Sequence, residues 1–426
     1  MKKVFKVLLI VLGSIVAIFV VIACLNIVST ITLRSYIKSF SKVQYDHQLV
    51  PVVEEEGYYT FRTDDDFRIM QISDIHLGGG HYSVKKDKKT IYEVMTMVSE
   101  EKPDLVILNG DNIFAVPGPM FNGGGTFNNK SASTTVIKMF EQLGVYYSVT
   151  FGNHDTEAFD YYDRAAIGKL YMNDKYKYCI FNSDFSDYGV TNQCILVKNN
   201  NGDIRKAIML IDSNDYIDTS LSSSINWLYD HINDKQVDWA ESVIKKLSGN
   251  GDPVKSLFFF HIPVGEFEVA YRDLKNNNFQ DTNDTKLLSG VWDELVDEKM
   301  GGRIWYGGCH LTDTDPATID KLFEVMGPSG LNSMQAIFVG HDHVNNATLE
   351  YKGVVLAYGL SIDNLAYDDI AKFGLQRGAM VVTIKQDNTF TIDHNNAYTH
   401  YHCDQNKFYD VNLDKQLYDG YAPTNR

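Results

Sequence analysis

The sequence predicts an α/β protein carried behind an N-terminal transmembrane helix. Three observations predict it. An uncharged apolar run extends from Val7 to Leu33. Beyond residue 57, short apolar stretches of strand length alternate with segments of helical periodicity. Several of those stretches are apolar throughout, which marks strands covered on both faces, as in parallel sheets packed under helices.

The elements follow in order. Val7 to Leu33 exceeds the roughly 20 residues that cross a bilayer and the roughly 7–15 residues of a signal-peptide core, and no A-x-A-like cleavage site follows it. Residues 1–33 are therefore read as a short cytoplasmic tip and a single membrane anchor. Val21-Ile22-Ala23-Cys24 also has the form of a lipoprotein box, but the apolar run continues past Cys24. Lys2, Lys3 and Lys6 precede the span and Arg34, Lys38 and Lys42 follow it, so the flanking cations are nearly balanced. The reading taken is that the body lies outside the cytoplasm.

Residues 34–56 read as a juxtamembrane stem and 57–400 as one domain. Tyr58–Arg62 and Phe67–Ile72 read as strands joined by a turn at Asp64-Asp65-Asp66. Ile91, Val94, Met95 and Val98 recur at helical spacing within Asp87–Glu100, Pro103 closes that helix, and Leu105–Leu108 is a short apolar strand. Strand, helix, strand is the signature of a parallel pair. A helix near Thr134–Leu143 leads to a strand at Val145–Thr150. Gln193–Lys198 and Lys206–Ile211 flank Asn199–Asp203 as a hairpin. Val237–Leu247 is an amphipathic helix before the strand Ser256–Phe260. Residues 264–330, rich in Asn, Asp and Gly, read as an irregular insertion. Strands at Gln335–Val339, Val381–Ile384 and Thr389–Ile392 follow, and 401–426 reads as a polar surface tail.

Composition narrows function. With 44% hydrophobic and 22% charged residues the chain can bury a core, which excludes a disordered protein. A net charge of −16 offers no bulk basic surface for nucleic acid. Anionic substrates would need a local positive centre, which bound cations supply. Five scattered cysteines form no CxxC pair and no evident disulfide framework, although Cys179 and Cys194 could pair in an exported body.

The chemistry lies at the strand ends. Phe67–Ile72 is followed by Asp74 and His76, Leu105–Leu108 by Asp111, and Val145–Thr150 by Asn153, His154 and Asp155. Ser256–Phe260 runs into His261, and Gln335–Val339 is followed by His341 and His343. Any one of these is weak: an Asp-x-His triplet is common, and a lone His after a strand is usually a core residue. Five in order, each at the end of an apolar strand where α/β sheets gather ligands, describe one site. Imidazole with carboxylate suits zinc, iron or manganese, and a carboxylate can bridge two such ions. Gly110, Gly152 and Gly340 would let the chain turn sharply there.

The ordered set resembles that of calcineurin-like metallophosphoesterases across roughly residues 67–345. The resemblance implies a β-sandwich of two mixed sheets flanked by helices. It implies that Asp74, His76 and His343 hold one divalent metal, that Asn153, His261 and His341 hold a second, and that Asp111 bridges them. It makes His154 the general acid, with Asp155 placed to hold or polarise it. The activity implied is hydrolysis of phosphate monoesters, on a small molecule or a phosphoprotein, by attack of metal-activated hydroxide on phosphorus. Phosphodiesterase or nucleotide pyrophosphatase activity, and metal-dependent binding without turnover, are the alternatives. Gly110-Asp111-Asn112-Ile113-Phe114, Phe260-His261-Ile262-Pro263 and Gly340-His341-Asp342-His343-Val344-Asn345 look closest to a purple-acid-phosphatase-like branch, as does Gln236-Val237-Asp238-Trp239. That branch's relatives place a Tyr ligand where this chain has Phe114, so a purple ferric–phenolate centre is not expected. The Asp-Arg-Gly extension of protein serine/threonine phosphatases is absent. His81, on the loop after the first motif, is a candidate substrate contact, and Gly307-Gly308-Cys309-His310 adds a cysteine and histidine that the seven ligands do not require.

Overall fold

The structure is a computed structural model and describes residues 2–116, 124, 126–183, 188–218, 220–225, 229–289, 321–343, 345–366, 377–398 and 400–403. Helix α1 (Lys2–Ile37) is long and apolar enough to cross a membrane, and its most apolar stretch is not buried against the described residues. It runs four residues past Leu33. Leu33 and Ile37 are fully buried, so the end of the helix packs on the body.

Two sheets form the body. The smaller contains β3 (Phe67–Ile72), β4 (Leu105–Asn109), β5 (Tyr147–Thr150), β13 (Gly378–Ile384) and β14 (Phe390–Asn396), in the order β14-β13-β3-β4-β5. Its β3, β4 and β5 are parallel, and β13 and β14 add on antiparallel. The larger contains β1 (Val52–Val53), β2 (Tyr59–Arg62), β6 (Gln193–Lys198), β7 (Ile204–Leu210), β8 (Ser256–Phe259), β9 (Thr285–Ser289), β10 (Met334–Val339), β11 (Thr348–Tyr351) and β12 (Val354–Tyr358). Its order is β1-β2-β6-β7-β8-β10-β12-β11-β9, with β7, β8, β10 and β12 mutually parallel. Both sheets are mixed, as expected.

The two sheets meet face to face. Phe67, Ile69, Leu105 and Ile107 of one meet Ile208, Leu257, Phe259 and Phe338 of the other, with Phe259 and Phe338 stacked at 4.6 Å. Helices cover the outer faces because these strands are apolar on both sides. α1, α2 (Val84–Glu101), α3 (Asn129–Leu143) and α4 (Arg164–Tyr171) cover the smaller sheet. α6 (Asp234–Ser248), α7 (Glu266–Asn276) and α8 (Lys321–Met326) cover the larger, while the short α5 (Leu221–Ile225) lies in the loop before α6.

Several expectations need amending. β2 and β3 are consecutive but belong to different sheets, so the Asp64–Asp66 turn is a crossing between layers. Asp64 accepts from the Asn200 backbone (3.0 Å) and Asp66 meets Lys385 (3.0 Å), which pins that crossing. α2 and α3 begin three and five residues before the expected starts, and Asn128 caps α3 by accepting from the Ser131 N–H. Part of the expected irregular insertion is ordered: 266–276 is a helix whose apolar face buries Phe267, Ala270, Tyr271 and Leu274, and 285–289 is an edge strand. Cys179 and Cys194 are free thiols rather than a pair. Cys309, His310 and most of the expected tail fall outside the described residues.

Candidate metal centre

The parallel strands of both sheets point their carboxyl ends at one place. Asn109, at the end of β4, donates through Nδ2 to the carbonyls of Phe260 (3.0 Å) and Phe338 (3.1 Å), and Gln71 of β3 donates to Val339 O (2.9 Å). These buried amides lock the strand tips of one sheet to those of the other. The loops that follow are then forced to converge.

Two clusters of ligand-type side chains result. Asp74, His76, Asp111 and His343 have donor atoms within 4.8 Å of one another, as do Asp111, His261 and His341. Asp111 belongs to both. Its Oδ2 lies 3.2 Å from His76 Nε2 and 3.1 Å from His261 Nε2, while Oδ1 accepts from the His154 N–H (2.8 Å). His343 Nε2 lies 3.1 Å from Asp74 Oδ1. All are buried.

The backbone is strained to achieve this. Asp74, His76, Asp111 and His341 have φ of 52°, 47°, 50° and 71°, a left-handed region that non-glycine residues seldom adopt. Gly110, at φ 87°, turns as expected. Gly152 and Gly340 act differently: each leaves out a Cβ. One on Gly152 would strike the Asp111 carboxylate and lie 2.6 Å from the His261 ring, and one on Gly340 would lie 2.9 Å from Asp74 Oδ2.

Charges inside the cluster oppose the cost of burial. Burial alone would raise the Asp111 carboxyl, yet His261 and His154 hold it well below the usual range. Burial would lower the His76 imidazole, but Asp363 and Asp111 raise it well above its ordinary value. His341 is driven well below by burial and by the neighbouring His261, which together outweigh the Asp111 and Asp74 carboxylates.

The donor set fits cations. His341 Nε2 and Asn153 Oδ1 are buried and meet no hydrogen-bond partner among the described residues, and the Asn153 amide is oriented by its Nδ2 donating to Tyr216 OH (3.2 Å). A protein normally leaves few such atoms bare. His261 Nδ1 donates to Asn109 O (3.0 Å), which presents Nε2 to Asp111 in the tautomer a ligand requires.

Three residues that the sequence reading passed over complete the centre. Asp363 Oδ2 lies 3.3 Å from Nδ1 of both His76 and His343, so one carboxylate orients two rings. It follows β12, a sixth strand tip, and the rule used for the other five would have found it. Glu157 Oε1 meets His154 Nδ1 at 2.6 Å. Asp155, expected in that role, instead accepts from Gly152 N (2.8 Å) and from the backbone and side chain of Asn112 (3.1 and 3.2 Å). It staples the Asp111–Asn112 loop to the Gly152–Asn153 loop, because the sharp turn at Gly152 folds its carboxylate back beneath the chain. Arg164 braces the same turn, donating to Gly152 O (2.9 Å) while paired with Asp212. Phe114 stacks on His76 (5.5 Å) and meets the edge of His154 (5.0 Å), an apolar wall where a phenolate would otherwise stand.

The family description "Calcineurin-like phosphoesterase" matches residues 67–345, which contain every strand tip of the centre except that of Asp363. The chain belongs to the calcineurin-like phosphoesterase family. It is similar to the "Probable inactive purple acid phosphatase 29" of Arabidopsis thaliana, 24% identical over 378 residues that cover 79% of this chain and 81% of that protein. The "Probable inactive purple acid phosphatase 14" of the same plant is 22% identical, over 77% of this chain and 78% of its own length. The "Phosphatase DCR2" of Saccharomyces cerevisiae is 24% identical over 66% of this chain, which spans less than half (45%) of that longer protein. This chain has a buried Asp/His cluster that could hold metal.

Proposed function

We propose that this chain is a membrane-anchored phosphoesterase that hydrolyses phosphate monoesters, with two divalent cations in the Asp111 centre and its body outside the cytoplasm. The carrying observation is the convergence of Asp74, His76, His261, His341 and His343 on the one carboxylate of Asp111, with His341 Nε2 and Asn153 Oδ1 left bare among the described residues. Asp74, His76 and His343 would hold the first ion and Asn153, His261 and His341 the second. Manganese, iron and zinc suit that donor set. Bound cations supply Lewis-acid polarisation of phosphoryl oxygens and a water acidic enough to ionise near neutral pH.

The chain's own residues do the rest. Asp363 fixes the rings of His76 and His343 so that Nε2 of each faces inward. Glu157 accepts from His154 Nδ1, so that in the doubly protonated imidazolium form the Nε2 proton would be the one given to the departing oxygen, leaving the neutral Nδ1–H ring behind. Phe114 keeps water from one side of both rings. Both plant proteins named above carry "probable inactive" in their names. Turnover is favoured over binding alone here because every ligand position is filled and His154 has its carboxylate partner.

The test is Asp111→Asn in the purified full-length protein. Metal-dependent hydrolysis of p-nitrophenyl phosphate should fall to background. Activity that survives the substitution would defeat the shared-carboxylate reading.

A further inference from the structure

The last three turns of α1 are docked on the body by polar contacts that begin abruptly. Asn26 Oδ1 accepts from the His81 N–H (2.8 Å), Ser29 Oγ lies 3.4 Å from His81 Nδ1, Thr30 reaches Ser131 Oγ (3.4 Å), and Arg34 donates to Ser131 O (3.2 Å). Upstream, residues 7–25 carry no charge and are mostly exposed. At 1.5 Å per residue that free segment is about 28 Å long, close to the ~30 Å thickness of a hydrocarbon core. On the face turned from the body, Ile27, Val28 and Ile31 stay apolar and exposed. A bilayer around this segment would have its surface at the level of the first contacts, against the loop that carries His81.

α2 and α3 both run alongside the docked part of α1 with their N-termini toward this level. Asn26 and Ser29 meet residue 81, just before α2, whereas Tyr36 lies beneath Lys88, a turn inside it. Likewise Thr30 meets Ser131 and Arg34 reaches Thr135 along α3. The first turns of these helices carry Lys85, Lys86 and Lys130. Tyr82 and Tyr161, 58% and 67% exposed, flank them, and the Tyr161–Tyr162 loop is tied to α3 by Asn129 donating to Tyr162 O (2.7 Å). Asp87, the acid nearest these lysines in sequence, is buried and turned inward, accepting from Gly78 N, Gly79 N and Ser83 Oγ. Cations beside exposed tyrosines around an emerging apolar helix, on a chain of net charge −16, have the chemistry of a membrane interface.

We propose that this rim (Tyr82, Lys85, Lys86, Lys130 and Tyr161) docks on an anionic lipid bilayer. The body would lie down on the membrane instead of swinging from a flexible stem. The loop following Asp74 and His76, and the loop leading from His154 to Tyr161, would both then sit at the lipid headgroups. The proposal rests on α1 being a membrane anchor, and its readout is independent of catalysis.

Hydrogen exchange of the full chain tests it, in nanodiscs of phosphatidylcholine alone and of phosphatidylcholine with phosphatidylglycerol. Peptides covering residues 79–88 and 158–163 should exchange several-fold more slowly in the anionic discs, with the distant edge strand β9 unchanged. The combined Lys85→Glu, Lys86→Glu and Lys130→Glu variant, shown by circular dichroism to be folded, should lose that difference. So should 0.5 M salt, through screening. Equal rim exchange in both discs, or a difference that survives charge reversal, overturns docking alone. Failure of the chain to enter nanodiscs overturns the anchor and the docking together, while leaving the phosphoesterase reading to its own assay.

Discussion

Replacing Asp363 by Asn changes one oxygen for an NH2 group at a site with no solvent exposure. Oδ1 already accepts from the Leu365 and Ala366 N–H groups (2.8 and 2.9 Å), and the amide oxygen of Asn can keep both bonds, so the loop should hold. The new NH2 would face Nδ1 of His76 and Nδ1 of His343, each 3.3 Å from the lost oxygen. Both rings donate from Nδ1 when Nε2 faces inward. Two donors now oppose each other at each ring, and the way out is for the ring proton to move to Nε2, which spoils a metal ligand. Loss of one outer partner typically weakens metal binding about 10–100-fold. Because one carboxylate serves two ligands here, the upper end is expected, about 100-fold or roughly 2.7 kcal/mol. Competition against a chromophoric chelator measures this directly, with circular dichroism to show that the fold persists. Affinity within about twofold of the parent would refute the claim that Asp363 orients the two rings.

Three further outcomes follow from particular contacts. His154→Ala should lower kcat on an alkyl phosphate by about 10²–10⁴-fold but much less on p-nitrophenyl phosphate, whose leaving group needs no proton, and Glu157→Gln should fall between. Equal losses on both esters would remove His154 as the acid. Gly152→Ala, whose new Cβ meets Asp111 and His261, should cost about 1–3 kcal/mol in urea denaturation and weaken metal binding; a neutral result would show that the loop can move aside. Lys206 Nζ donates to Asn388 O (2.6 Å), and burial, followed by Arg205 and Lys255, lowers its pKa from 10.5 to about 8. Between about pH 8 and 10.5 the unfolded chain binds more protons than the native one, so stability contributed here rises with pH. Lys206→Met should therefore be the more stable protein at pH 7, by on the order of 1 kcal/mol after screening, and lose that advantage by pH 10. An advantage that does not vary with pH would refute the assignment.

Much was legible in the sequence because the signals were local. A run of apolar residues from Val7 to Leu33 needs no partner to be read as a long helix. A strand buried on both faces is apolar at every position, as Leu105–Leu108 shows. Metal-binding residue types that follow such strands stand out for the same reason, so the six Asp and His side chains that cluster around Asp111 could be named by number. The order of helix and strand survived as well, with boundaries off by a few residues where capping decides them, as at Asn128.

What only the tertiary structure decided depends on which residues meet across the fold. That β2 and β3 lie in different sheets is invisible in a four-residue turn, since either layer satisfies the same apolar pattern. Asp155 adjoins His154 in sequence, but the turn at Gly152 points its carboxylate elsewhere and brings Glu157 to the ring. Asp363 is separated from His76 by 287 positions in the numbering, and nothing local marks it except its place after β12. Likewise, residues 26–37 look like the end of an anchor and the start of a stem, yet they are a packed helix, because Leu33 and Ile37 find the α2–α3 surface. Composition and periodicity specify how each segment buries its own apolar face. The partner of a buried polar group is specified only once the two sheets close on each other.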